Sequence, residues 1–221
     1  MLIKAINQDK ALNRYLNLKK QNIDFEREVP VSLDNPELLY LIKKENKQTV
    51  KKMKELSLQL SFRNAIKSAK KRNENKILIL EDDALFTEHP DKIFNNINNL
   101  PKDFGICFLG TYFRPSKTNL LKKYNEDFLE ICDKTVIWGA HAIIYNSVVF
   151  DYMIKELSEK VQKPYDSYLC SNIISKYKCY ICNPMICFQD KRVYNTSNMH
   201  GHFYFDVIEK ESIEILKSFS N

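Results

Sequence analysis

The sequence predicts an α/β fold with a mostly parallel central sheet, and three observations carry that expectation. Short apolar, β-branched runs alternate with amphipathic helical stretches along 221 residues, the order that builds parallel sheets. Ile77-Leu78-Ile79-Leu80 has the length and branching of a strand buried on both faces. That strand ends in Glu81-Asp82-Asp83, three acids delivered to the sheet edge at which open α/β proteins bind ligands.

Each element follows from local signals. Leu2–Ile6 reads as the first strand, followed by a helix with Asp9 as N-cap and Leu12, Tyr15 and Leu16 on one apolar face. Phe25–Val31 reads as the second strand, and Asp34-Asn35-Pro36 as the turn after it. Helical sequence runs from Pro36 to Arg72 with a break near Glu45–Gln48; Leu56, Leu60, Ala65, Ile66 and Ala69 form its core face, and Asn73-Glu74-Asn75 turns the chain into the acidic strand. A helix near Pro90–Asn99, a strand at Gly105–Leu109 and a polar loop at Thr111–Thr118 come next. Leu129–Ile137 and Ala140–Tyr145 read as a strand pair. Helices follow at Ser147–Val161 and after Pro164, then short strands at Cys179–Ile181 and Met185–Phe188 and an amphipathic helix at Phe205–Phe219. There is no internal repeat, and one domain spanning residues 1–221 is expected.

Composition narrows the function classes. No apolar run approaches membrane-spanning length and no leader pattern opens the sequence, so a cytoplasmic protein with reduced thiols is expected from its six cysteines. Cys179 and Cys182 form a CxxC, but strand alternation sends them to opposite faces, which disfavours zinc. The net charge of +6 is uneven: Glu37–Lys76 holds twelve Lys and Arg against four acids. The stretch Lys43–Lys76 is therefore expected to be a solvated helix face or a recruitment surface for an anionic membrane or glycan, outside the reaction centre. Only four glycines occur, at positions 105, 110, 139 and 201, about a quarter of the number expected at average usage. Three of them fall in segments selected below for chemistry.

Three adjacent acids repel one another, and burying them unpaired is costly, so a cation is expected beside them. Strand parity predicts that Glu81 and Asp83 share one side while Asp82 faces the other. Such an acid-x-acid pair suits a hard divalent cation, Mn2+ or Mg2+, completed by phosphate oxygens and water. The competing reading is helix capping or pairing with lysines. Asp166, in "PYDSY" behind Pro164, suits a general base, with a plain helix N-cap as its alternative. His141 in "WGAHA" is either a core histidine or part of a site; His200 and His202 in "NMHGHF" are ligand candidates or surface-loop residues.

"ILILEDDALF" resembles the acidic motif of the family 25 glycosyltransferases, the lipooligosaccharide and procollagen-type galactosyltransferases of the GT-A, Rossmann-like fold. The similarity continues in order through "AINQDKALNR", "FEREVPVS", "ICFLG", "WGAHAIIYN", "KPYDSYL" and "NPMICFQD", over about 190 residues. The resemblance implies metal-dependent transfer of a hexose, galactose or glucose, from a UDP-sugar donor to an acceptor hydroxyl on a glycan, lipid-linked group or protein, with inversion. It implies that Asn7, Asp9, Arg14 and Asp82 lie near the nucleotide, Glu81 and Asp83 hold metal and ribose, His200 supplies a late metal ligand, and Asp166 meets the acceptor. One position departs from the family pattern: Phe62 stands where a histidine is expected after Ser61.

Two other classes fit clustered acids beside a basic face. A metal-dependent nuclease or nucleotidyltransferase would cleave or extend nucleic acid. A non-catalytic basic module would bind nucleic acid in a salt-sensitive way without turnover. Under the transferase reading no nucleic acid partner is expected, and peripheral membrane association is.

Overall fold

The computed structural model describes residues 1–7, 11–46, 49–113, 121–132, 137–159, 164–190 and 210–219. Its centre is an eight-stranded sheet in the order β2-β1-β3-β8-β5-β9-β7-β6. The strands are β1 (Leu2–Ile6), β2 (Glu26–Glu28), β3 (Lys76–Glu81), β5 (Ile106–Phe113), β6 (Leu121–Lys123), β7 (Phe128–Ile131), β8 (Ile137–Asn146) and β9 (Cys179–Cys182). A separate antiparallel pair joins β4 (Ala84–Phe86) to β10 (Cys187–Gln189).

The protein is α/β, and its sheet is mixed. β1 runs parallel to both β2 and β3, and β5 runs parallel to β9. The four remaining junctions are antiparallel, because β8 inserts between β3 and β5 against both neighbours, and β7 lies against β9 and β6. Consequently the expected pair Leu129–Ile137 with Ala140–Tyr145 does not form: β7 and β8 are separated by β5 and β9. Hydrophobic alternation specifies which residues face the core and is silent on which strand lies alongside.

Helices cover both faces. On one, α3 (Val50–Lys71), α5 (Phe150–Glu159) and α6 (Tyr165–Tyr168) pack Phe62, Ala65, Ile66, Met153, Leu157 and Tyr168 against the sheet. On the other, α1 (Leu12–Lys19) and α4 (Asp91–Asn96) bring Leu18 and Ile93 against Ala5, Leu78, Leu80 and Ile144. The apolar run of β3 is thus buried on both sides, as its sequence requires. Cys179 and Cys182 enter opposite cores, and all six cysteines are unbonded thiols.

Helix ends follow their sequence signals. Asn35 caps α2 (Pro36–Lys44), accepting from the amides of Glu37 and Leu38 at 3.0 and 3.2 Å with Pro36 in the first turn, and Thr49 caps α3 through the Lys52 amide. The chain resumes from α1, α2 and α3 through Asn22, Asn46 and Asn73, each at positive φ near +55°. Asparagine tolerates that conformation best after glycine, and here it takes the turns for which a glycine-poor chain has no glycine.

Several expectations are corrected. Helix α1 starts later than an Asp9 cap requires, with Ala11 at the cap position and no side-chain cap; Asp9 itself lies outside the described residues. Leu18 is the buried residue of α1, whereas Leu12 and Leu16 are 56% and 46% exposed. Tyr15 packs against the core as expected, and α1 meets the core through Tyr15 and Leu18, leaving Leu12 and Leu16 outside. Strand β2 stops at Glu28, short of Pro30, which lacks the amide that a strand would use. Strand β5 extends through Phe113, so Thr111 belongs to a strand and not to a polar loop. Residues 210–217 form a helix, labelled α7, from which Leu216 joins the core.

Candidate active site at the carboxyl edge of β1 and β3

Parallel register builds the site. Ile6 of β1 is aligned with Glu81 of β3, so the residues that follow each strand, Asn7 and Asp82, emerge side by side. Asn7 Nδ2 donates to Asp82 Oδ2 at 2.9 Å and to the Ala11 carbonyl at 3.1 Å, tying the strand exit to the start of α1. Arg14, in the first turn of α1, donates from Nη1 to the other oxygen, Asp82 Oδ1, at 3.0 Å. Asn7 is buried, and its Oδ1 has no hydrogen-bond partner among the described residues.

The strand ends at Glu81, and Asp82-Asp83 form the turn into β4. Side-chain alternation therefore stops one residue before it would separate Asp82 from its neighbours. Contrary to the parity expectation, Glu81, Asp82 and Asp83 all line one cavity of about 450 Å³. Arg14 from α1 and Lys54, Ser57 and Leu58 from α3 form part of its other walls.

The turn is held from outside. Gln21, just past α1, donates to the Ala84 carbonyl at 2.9 Å and accepts from the Phe86 amide at 2.7 Å, and the Asp190 amide donates to the Asp83 carbonyl at 2.6 Å. Ser61 accepts from the Val31 amide at 2.9 Å, while Ser57 donates to the Val31 carbonyl, fixing the loop after β2 against α3. Neither Gln21 nor the cavity-lining residues of α3 carry a sequence signal. Gln21 and Ser57 are ordinary polar residues whose partners lie 26 to 65 positions away.

Charge is concentrated here. Burial pushes the Glu81 carboxyl up to about 8, and the carboxylates of Asp83, Asp82 and Asp166 push in the same direction, opposed by Arg14. Asp166 is thus brought within electrostatic reach of the acidic turn although 85 residues separate it from Glu81. It is not an N-cap: Pro164 holds that position, and Asp166 sits in the first turn, accepting from the Ser167 amide at 2.7 Å. Beneath it, Tyr145 and Tyr165 share a hydroxyl–hydroxyl bond of 3.0 Å, and burial raises both phenols well above their usual range, keeping them neutral.

His141 is a core histidine. It is fully buried, its Nε2 lies 3.3 Å from the Cys187 carbonyl oxygen, and burial lowers it to about 4. Gly110 packs so tightly against this contact that a Cβ there would fall 1.7 Å from the Cys187 oxygen, while Gly139 adopts a φ of +87° that only glycine takes readily. His200 and His202 lie outside the described residues. Among the described residues no three His, Cys, Asp or Glu side chains form a metal-holding group.

No protein-family model and no curated protein matches the chain. Solved structures do. A glycosyltransferase involved in the glycosylation of the major capsid of PBCV-1 is 8% identical with a TM-score of 0.46, covering 93% of this chain and 100% of its own. A protein from STIV is 12% identical with a TM-score of 0.44, covering 86% and 85%. Mouse xyloside xylosyltransferase 1 is 8% identical with a TM-score of 0.42, covering 95% and 79%.

Proposed function

We propose that this protein is a nucleotide-sugar glycosyltransferase of the family 25 type, moving galactose or glucose from a UDP-sugar to an acceptor hydroxyl with inversion. The observation that carries the reading is the Asn7–Asp82–Arg14 network. It joins the opening "AINQDKALNR" to "ILILEDD", two segments quoted for the same resemblance, at the carboxyl edge of adjacent parallel strands, and Asp166 of "KPYDSYL" lies within electrostatic reach of Glu81.

Asn7, Arg14 and Asp82 would form the nucleotide side of the cavity. The orphaned Asn7 Oδ1 would accept from a donor on the nucleotide. Asp82 is committed to Asn7 and Arg14, and Glu81 and Asp83, which line the same cavity, would hold Mn2+ or Mg2+. Two carboxylates are a common protein share for such an ion when phosphates and water complete its shell, and the crowded, all-oxygen acids fit that donor chemistry. When bound, the cation would offset the charge of the leaving diphosphate. Asp166 would take the acceptor's proton, a task that suits a carboxylate. Arg14 would add positive charge near the diphosphate.

A screen of nucleotide sugars for thermal stabilisation, with and without Mn2+, tests the reading, because a ligand that binds only the native state raises its melting temperature. A metal-dependent shift with a UDP-sugar, followed by UDP release in the presence of acceptor, is expected. Cleavage or extension of nucleic acid with no response to any nucleotide sugar would replace this reading with a nuclease or nucleotidyltransferase.

A further inference from the structure

The lysines of the basic stretch differ in their surroundings, and exposed apolar side chains stand beside only those at the corner of α2 and α3. Along the middle and far end of α3 three cations are engaged, Arg63 with Glu37, Lys70 with Asp151, and Arg72 with Glu26, while Lys67 and Lys71 make no ion pair among the described residues. At the corner where α2 meets α3, Lys43, Lys51 and Lys54 make no ion pair among the described residues, and Lys44 reaches only the backbone carbonyl of Glu159 at 3.4 Å. Lys52 is paired with Glu55 at 2.6 Å, and Glu45 also has a partner.

Apolar side chains surround these lysines on the solvent side. Leu39, Tyr40 and Val50 are 44%, 65% and 64% exposed, three of the nine large hydrophobics exposed among the described residues. Helix α2 already buries Leu38, Leu41 and Ile42 against Leu56 and Leu60 of α3, so its outward face needs no further apolar residues for folding. On that face Leu39 and Tyr40 stand one turn before Lys43 and Lys44, and Val50 stands one turn before Lys54.

We propose that the α2–α3 corner docks on an anionic lipid bilayer, with Leu39, Tyr40 and Val50 entering the headgroup region and the corner lysines meeting acidic headgroups. The pairing of aliphatic and aromatic side chains with unneutralised lysines selects this occupant. Nucleic acid or a soluble acidic glycan would engage the charge and leave Leu39 and Val50 in water, whereas an interfacial helix uses both kinds of side chain. Among the described residues no helix is long and apolar enough to cross a membrane, so the contact is peripheral. Lys54 also lines the cavity, which sets the acidic site beside the docked surface.

Flotation of the full chain with phosphatidylcholine vesicles, with and without one-third phosphatidylserine, tests the proposal. Binding to the anionic vesicles alone, weakened by added salt, is expected. The triple variant Lys43→Ser, Lys44→Ser, Lys51→Ser should lower partitioning on the order of 100-fold, about fivefold for each lysine near an acidic surface. The double variant Leu39→Ser, Val50→Ser keeps the charge and should lower it about tenfold. All five positions are exposed, and an unchanged melting temperature verifies that the variants are folded. Absence of binding to anionic vesicles, equal binding to neutral ones, insensitivity to both variants, or tighter capture by duplex RNA or heparin at the same salt would each overturn it.

Discussion

The rings of Phe62 and Tyr165 stack with centroids 4.0 Å apart and planes 21° from parallel, and Asp166 is the next residue along the chain. Phe62 is fully buried and also meets Tyr145 edge-on at 6.4 Å. The position that departs from the family pattern therefore presents an apolar plate that fixes α6 against α3. Truncation should be costly. Phe62→Ala is expected to destabilise by about 3–5 kcal/mol, the usual range for deleting a buried aromatic, in urea unfolding. A cost near zero would mean that the stack does not support α6.

Asp166→Asn keeps the shape of the first turn of α6 and removes one negative charge. Turnover should fall by about 10²–10⁴-fold, the scale of general-base loss, with UDP affinity nearly unchanged. Because the Asp166 carboxylate helps to raise Glu81, the same variant should also lower the Glu81 titration. NMR of labelled glutamate detects that second effect before an acceptor is known.

Asp83→Asn should abolish metal-dependent UDP binding while leaving ligand-free stability unchanged or slightly higher, since repulsion within the acidic turn is relieved. Isothermal calorimetry with and without Mn2+ decides the matter. Equal binding by this variant and the wild type would mean that the acids serve only the fold.

Glu81 gives stability a pH signature. Its folded-state value of about 8 stands above the ordinary 4.5, so the folded protein holds a proton that the unfolded chain has released. That contribution is complete below about pH 4.5 and is lost as pH rises through about 8. Metal-free protein should lose melting temperature across this window, and Glu81→Gln should flatten the decline. Saturating Mn2+ should do the same in the wild type by favouring the ionised carboxylate. His141 acts oppositely: lowered to about 4, it contributes stability above its ordinary 6.5 that is lost as pH falls toward 4.

Much of the fold was legible because its signals are local. Strand β3 declared itself through four consecutive apolar residues, α2 through the Asp34-Asn35-Pro36 turn before it, and the interruption before α3 through the polar stretch near Glu45–Gln48. Capping, turn chemistry and hydrophobic period act over a few residues. Leu12 and Leu16 of α1 stay exposed because the helix meets the core through Tyr15 and Leu18, a choice of face that local periodicity does not settle.

By itself the sequence determined the α/β class, the buried strand and the position of the acids at its carboxyl end, since each depends on near neighbours in the chain. Tertiary structure alone decided that β8 separates β3 from β5, that Asp82 turns to Arg14 and Asn7, and that Asp166 comes within electrostatic reach of Glu81. It also decided which cations of the basic stretch are paired, and that those of the α2–α3 corner stand beside exposed apolar side chains. Those relationships join residues tens of positions apart, through strand order and register that local propensity does not specify.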